Sequence, residues 1–319
     1  MSKPLASLSL DLDNQWSYMK THGDPGWESF PSYLEVLVPR VLGFLADRGL
    51  RITFFVVGQD AALPRNHAAL ACLATAGHEI GNHSFHHEPW LHLYSPAQIE
   101  QEIELAENAI LLATGVRPRG FRGPGFSCSE ATLKVLAARG YRYDASTFPT
   151  FLGPLARAYY FLQSTLDSKQ LEQRKQLFGR FSEGFRPLRP FTLNLDEGSL
   201  VEVPVTTMPI LKIPIHLSYV IYLASFSRGL AVRYFQTAME LCRITSTPPS
   251  LLLHPLDFLG RDDIDNLRFF PGMNLDSRFK LDLVSDVLSV FTRHFKPVPL
   301  QEQVESFSAR TMQRAAVAS

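Results

Sequence analysis

Short apolar runs rich in β-branched and aromatic residues alternate with segments of helical period along most of this chain. The runs are LASLSLD, RITFFVVG, HEIGN, PRGFRGP, YRYDAS, SLVEVPVT and SLLLHPLD. Strands joined through helices run parallel, because a crossover of that length returns the chain to the same end of the sheet. Between the first two runs, Leu34, Leu37, Val38, Val41, Leu42 and Leu45 keep the helical period, and Gly49 stands where a C-terminal cap ends that helix. Further helices are expected at 64–76, 95–114, 129–139, 229–245 and 276–294, several of them opening after Ser or Pro. Seven or eight strands in this rhythm imply an α/β fold with a parallel sheet, open or closed into a barrel.

The chemistry-bearing residues stand at strand ends: Asp11 and Asp13, His83 after HEIGN, Arg122 after RGF, Asp144 in YRYDAS and His254 after SLLL. In barrels and open parallel sheets the C-terminal strand ends converge on one face, and this placement favours a barrel. Residues 150–198 break the rhythm, bracketed by Pro149, Pro154, Pro187 and Pro190 with a local basic excess, and read as an insertion. Residues 213–227 contain no Asp, Glu, Lys or Arg; the stretch is too short to span a bilayer but long enough to bury or to lie at a membrane surface. The expected organisation is one domain over 1–300, insertion included, with a C-terminal tail over 301–319.

With 45% apolar and 19% charged residues the chain can form a sizeable core. Lys plus Arg equals Asp plus Glu at 31 each, so no bulk positive field attracts nucleic acid, and that class of partner is disfavoured. Cys72, Cys128 and Cys242 are odd in number and far apart, without a CxxC pair, which fits a reducing compartment rather than a disulfide framework. The N-terminal apolar run is too short for a signal-peptide core, and no run approaches the roughly 20 residues of a membrane span. A cytoplasmic location is the expectation.

Each candidate residue has a bland reading beside the functional one. His83 and His87, four apart in HSFHH, can converge on one metal ion, but His86 competes through an HxxH pairing with His83, and spacing leaves that choice open. Alternation along a strand turns Asp11 and Asp13 to the same side, where a pair of carboxylates is costly to bury unless something neutralises it. Capping the turn after a strand is an equally compatible role for them. Arg122 in FRGPGFS is a fixed positive charge on a tight backbone or an ordinary surface turn. His254 stands at the rim of a buried strand, where a packed histidine is the commoner finding, and Asp144 has a similar strand-end alternative. Cys128 has no neighbouring base and reads as packing.

Taken together these places resemble the polysaccharide deacetylases of the NodB-homology type, carbohydrate esterase family 4. The family's first motif, usually TFDDG, is similar to SLDLDN here, in the spaced DxD form of a bacterial branch. Its second, H(S/T)xxH, is HSFHH at 83–87; its third, RxPY or similar, is RGPGF at 122–126; its fifth, LxxH or LHP, is LLLHP at 251–255. The resemblance spans residues 7 to about 295 and implies a distorted (β/α) barrel of seven or eight parallel strands. It further implies that Asp13, His83 and His87 bind a divalent metal, zinc first, with cobalt, nickel, manganese or iron as alternatives. Asp11 is then the general base, Arg122 holds it ionised, Gly125 donates a backbone N–H to the oxyanion, His254 protonates the departing amine, and Asp144 supports this charge network. Two departures bear on substrate contacts: Gly125 stands where an aromatic usually follows proline, with Phe126 one step later, and no Trp lies near Asp144.

The function this implies is metal-dependent N-deacetylation, a hydrolysis of a carbon–nitrogen bond other than a peptide bond, in an N-acyl amino sugar or glycan. The missing export signal points to a lipid-linked sugar met on the cytoplasmic side, with peripheral contact at the inner membrane face through 213–227 and the basic-leaning insertion; oligomerisation through 213–227 is equally compatible. One alternative is an amidohydrolase of a small cyclic amide or ureide. Another is a glycan-binding homologue without catalysis, against which both aspartates, the His pair, Arg122 and His254 argue. A non-heme iron oxygenase shares the two-His-one-carboxylate set, but its usual ligand order and β-sandwich-like scaffold do not agree with this sequence.

Overall fold

Alternation along β1, Leu5–Leu12, divides the molecule into two compartments. Leu8, Leu10 and Leu12 join the core packed under the helices, while Ser9 and Asp11 turn inward to Arg122. The same division recurs in β2, Thr53–Val56, where Phe54 and Val56 face the helices and Phe55 packs inward against Tyr143. The computed structural model describes residues 3–153 and 181–318.

The remaining strands are β3 (Glu79–Asn82), β4 (Gly120–Phe121), β5 (Tyr143–Asp144), β6 (Phe191–Leu195), β7 (Gly198–Glu202), β8 (Ser250–Leu253) and β9 (Lys296–Val298). They form one sheet in the order β6-β7-β5-β4-β3-β2-β1-β8, with β9 on β1, and every pairing is parallel except the β6–β7 hairpin. The curl is completed by the chain beyond β7. Val203 N–H donates to Asp144 O (2.8 Å), Val205 N–H to Thr147 O (2.9 Å) and Thr206 N–H to Ser250 O (3.0 Å), which links the β5 side to β8. The expected distorted (β/α) barrel is what the chain forms.

Six expected helices are present, at Leu34–Ala46, His67–Thr75, Pro96–Thr114, Glu130–Ala138, Arg228–Ile244 and Ser277–His294. Ser95 and Gln98 form a capping box, Ser129 and Ser227 cap the next N-termini, and Gly49 takes φ +59° after the first helix. Among the described residues, four further helices were not expected: Gln15–His22, the short Gly58–Ala61, Leu217–Ala224 and Leu300–Ala318.

The last of these corrects the expected tail. Leu300 and Val304 bury themselves against Phe55, Tyr143 and Val201, with Phe307 packed alongside, an i, i+4, i+7 stripe that closes the end of the barrel where the strands begin. Leu300 N–H donates to Thr53 Oγ1 (2.8 Å) and Gln301 N–H to Glu79 Oε2 (3.0 Å), so the helix N-terminus meets a buried carboxyl group. Of the expected insertion, 154–180 lie outside the described residues, and Phe191–Leu195 is β6. In 213–227, Leu217, Val220, Ile221 and Ala224 are buried, whereas Tyr219, Tyr222 and Phe226 are exposed. Among the described residues, no helix is long and apolar enough to cross a membrane.

Candidate active site

At the end of β1 the chain turns sharply, because Asn14 Oδ1 caps the next helix by accepting Gln15 N–H (2.9 Å). Tyr33 Oη donates to the Asp13 carbonyl (2.6 Å), fixing Asp13 at the barrel mouth. His83 leaves β3 with its N–H on Val56 O (3.0 Å), and Asn82 Oδ1 accepts Ser84 N–H (2.8 Å) to start a tight loop. Ser84 and His87 both adopt left-handed backbone, φ +59° and +53°, strain that folds the loop back and brings the His83 and His87 rings to 5.1 Å.

Glu102 resolves the choice between His86 and His87. Its Oε2 accepts the N–H groups of Phe85 (3.2 Å) and His86 (3.0 Å), and its Oε1 pairs with His86 Nδ1, which draws that ring away from the aspartates. His87 Nε2 lies 2.9 Å and His83 Nε2 3.3 Å from Asp13 Oδ1, and the ligand atoms of the three residues fall within 4.8 Å of one another. The donor set suits a divalent cation. His83 gives its Nδ1–H to the Arg122 carbonyl (2.6 Å), so its Nε2 lone pair is free for a metal. Burial alone would raise the Asp13 carboxyl, but His87 and His83 outweigh it and hold Asp13 well below the usual range. For His83, burial pulls downward, and Asp11, Asp13 and the Arg122 carbonyl together carry it upward.

Asp11 stands beside this set rather than in it, with Oδ2 4.0 Å from His83 Nε2. Its Oδ1 accepts from Arg122 Nη1 (2.7 Å), and the same nitrogen reaches Ser9 Oγ (2.9 Å). Arg122 is fully buried at 0% exposure, donates Nε–H to Ala145 O (2.9 Å) and lies 4.4 Å over the Phe55 ring. The turn after it needs glycine twice. A Cβ on Gly123 would meet Ser127 O at 2.0 Å, and Gly125 takes φ +57°. Phe126 stacks on Phe148 at 4.6 Å.

Asp144 reaches this site indirectly. The expected support of the charge network comes without a hydrogen bond from Asp144 to Arg122, whose Nε and Nη1 serve Ala145, Ser9 and Asp11 while Nη2 is buried without a partner. Asp144 Oδ1 instead accepts from Ser146 Oγ (2.6 Å), and Ser146 Oγ accepts Gly123 N–H (2.8 Å), a link from carboxylate to the glycine turn. On the next strand Asp144 faces Glu202, whose Oε1 takes Thr147 N–H (3.1 Å) and Oγ1 (2.5 Å). Burial, then the neighbouring Asp144 charge, keep Glu202 well above the ordinary carboxylate range.

His254 follows β8 and brings in residues that the sequence reading missed. Ser218 Oγ lies 3.1 Å from its Nδ1 and donates to Asp257 Oδ1 (2.9 Å). The His216 ring sits 5.7 Å from His254 and 6.5 Å from Phe126, and burial, then His254 and Arg122, hold it well below the usual histidine range. Tyr18 Oη is buried without a partner, and burial, then Asp13, Tyr33, Asp257 and Asp11, push it well above its usual value. Neither Ser218 nor His216 stands at a strand end, so the strand-end rule could not find them. Cys128 lies 3.9 Å from Asp144, and burial pushes its thiol well up, in keeping with a packing role.

The pattern of the family described as polysaccharide deacetylase matches residues 24–143, a stretch holding the His83–His87 loop and the Arg122 turn. Over that stretch the chain is similar to the polysaccharide deacetylase family. It is 32% identical over 108 residues to the uncharacterised protein YlxY of Bacillus subtilis, covering 34% of this chain and 31% of that protein. It is 28% identical over 150 residues to the peptidoglycan deacetylase of Helicobacter pylori, covering 44% of this chain and 49% of that protein. The chain therefore matches 31% of the length of one of these relatives and 49% of the other. A solved structure from Mycobacterium smegmatis, described as a polysaccharide deacetylase, aligns over 97% of this chain and 95% of its own, with TM-score 0.61 and 19% identity. That likeness speaks to the fold, and it extends over strands outside the matched stretch.

Proposed function

We propose that the protein is a metal-dependent N-deacetylase acting on an N-acetylated amino sugar of a glycan. The observation that carries this reading is the separation of roles at the β1 end: Asp13 gathers with His83 and His87, while Asp11 stands apart, gripped by Arg122. A divalent cation on Asp13, His83 and His87 would supply Lewis acidity toward a carbonyl oxygen and make water more acidic. Asp11 Oδ2, turned toward that set, accepts the proton of the attacking water, and the Arg122 guanidinium keeps the carboxylate oriented. The backbone N–H of Gly125 serves the developing oxyanion. His254 returns the proton to the departing amine, and Phe126 with Phe148 offers a flat apolar wall beside it.

A lipid-linked acceptor on the cytoplasmic side is the finer form of the reading. It is supported by the exposed Ile210, Leu211, Tyr219, Tyr222 and Phe226 around the 217–224 helix, with Lys212 joined to the Arg186 carbonyl (2.7 Å) nearby. The deciding experiment is release of acetate or formate from matched lipid-linked and soluble N-acyl amino sugars by the metal-loaded protein, with Asp11→Asn as control. Release confined to the lipid-linked set and abolished in the variant is expected. Release from soluble sugars alone removes the lipid-linked form, and turnover of cyclic ureides with no sugar deacylated overturns the deacetylase reading.

A further inference from the structure

We infer that Ser218 and Asp257 form a hydroxyl relay that sets the tautomer of His254, with Ser218 donating to Asp257, accepting Nδ1–H from His254, and leaving Nε2 as the ring nitrogen offered to substrate. The relay's effect on turnover rests on the reading of His254 as the proton donor; the tautomer itself is a property of the folded chain.

The geometry points to one direction for each bond. Asp257 is 1% exposed and sits three residues beyond His254 in the turn that Pro255 begins. Its Oδ2 accepts the His254 backbone N–H (2.7 Å) and its Oδ1 faces Ser218 Oγ (2.9 Å). An ionised carboxylate only accepts, so the hydroxyl proton of Ser218 points to Asp257. The Ser218 lone pairs are then what His254 Nδ1 meets at 3.1 Å, and an Nδ1–H completes that contact.

Both Asp257 oxygens act as acceptors, the arrangement of an ionised carboxylate. Burial raises the Asp257 carboxyl above its ordinary value, and His254, Ser218 and Lys280, which bonds the carbonyls of Leu256 and Leu259 (2.8 Å each), offset part of that push. On the site side the His216 ring lies 5.7 Å from His254, and burial, then His254 and Arg122, hold it well below the usual histidine range. Asp144 cannot support this ring in place of Asp257, since its carboxylate is spent on Ser146 beside Glu202. A protonated Asp257 would reverse both bonds and give the opposite tautomer, so the inference has a direct spectroscopic signature.

The test is long-range proton–nitrogen NMR of the full chain labelled with nitrogen-15 histidine at neutral pH, the His254 signals being assigned by their loss in His254→Gln. Wild type should show His254 protonated at Nδ1 and bare at Nε2. Ser218→Thr should keep that pattern, Ser218→Ala should mix the tautomers, and Asp257→Asn, which can donate through its amide, should shift His254 toward the Nε2–H form. In the acetate-release assay Ser218→Ala should lower kcat on the order of 10-fold or more while KM stays within about 2-fold, with Ser218→Thr restoring most of the loss. A wild-type ring protonated at Nε2, or a tautomer indifferent to Ser218→Ala, overturns the relay. The expected tautomer in a protein that deacylates no sugar leaves the relay standing and removes the proposed function instead.

Discussion

The backbone carbonyl of Arg122 accepts the Nδ1–H of His83 at 2.6 Å. The guanidinium of the same residue reaches Asp11 at 2.7 Å, so one buried position sets a candidate metal ligand through its main chain and a candidate base through its side chain. The two tasks should separate on mutation.

Arg122→Lys removes the fork that serves Asp11, Ser9 and Ala145 but leaves the carbonyl in place. Acetate release should fall on the order of 100-fold or more, whereas zinc affinity, followed by titration against a chelating dye, should stay within about 3-fold. A parallel loss of zinc binding would mean that the side chain, rather than the carbonyl, positions His83.

The histidine loop makes a second contrast. His87→Ala deletes an atom 2.9 Å from Asp13 Oδ1 and should weaken zinc by about 100-fold or more, the upper range for metal-site substitutions. His86→Ala loses only its pairing with Glu102 at a half-exposed position, so zinc affinity should be unchanged. Equal losses in the two variants would return His86 to the ligand set.

How far the sequence could anticipate this depended on the range of the interaction. Leu34 to Leu45 or the stretch from Ser95 to Thr114 repeat an apolar period and carry their caps locally, so their helices were legible. The helix Leu300–Ala318 was not, because only Leu300, Val304 and Phe307 carry its stripe among Gln, Glu, Ser and Arg. The same limit holds in the site. Asp11 and Asp13 shared a side by strand alternation, but the choice of His87 over His86 was made by Glu102 on another helix. Glu202, 55 positions from Thr147, and Ser218, 36 from His254, meet their partners only through strand register and helix docking.

Ser146 tests whether Asp144 matters through the glycine turn. Ser146→Ala strands Gly123 N–H and removes a donor from Asp144 Oδ1, at a cost of about 1–3 kcal/mol in urea unfolding. Because that turn also carries Gly125, kcat should fall while zinc affinity holds; full activity in the variant would make the link purely structural.

Asp60 gives the clearest pH effect. Its Oδ1 accepts from Asn14 Nδ2 (2.7 Å) and Trp16 Nε1 (3.0 Å), its Oδ2 is buried without a partner, and burial first, then the nearby Asp13 charge, push the carboxyl up to about 7. An unfolded Asp titrates near 3.9, so between the two values the folded chain holds a proton that the unfolded chain has released. That stability is fully present below about pH 4 and is lost as pH rises through about 7. Asp60→Asn keeps the Oδ1 acceptor and cannot ionise, but its amide adds a donor with nothing to meet. At pH 5 the variant should therefore be less stable than wild type by about 1–2 kcal/mol. By pH 8.5 the gap should close or reverse, as wild type forfeits a few kcal/mol to deprotonation. Urea unfolding of both metal-stripped proteins at the two pH values reads this directly, because titration of groups that do not feel Asp60 is common to both and cancels in the difference. A gap that stays constant across that range would place Asp60 as an ordinary ionised carboxylate, already charged at pH 5.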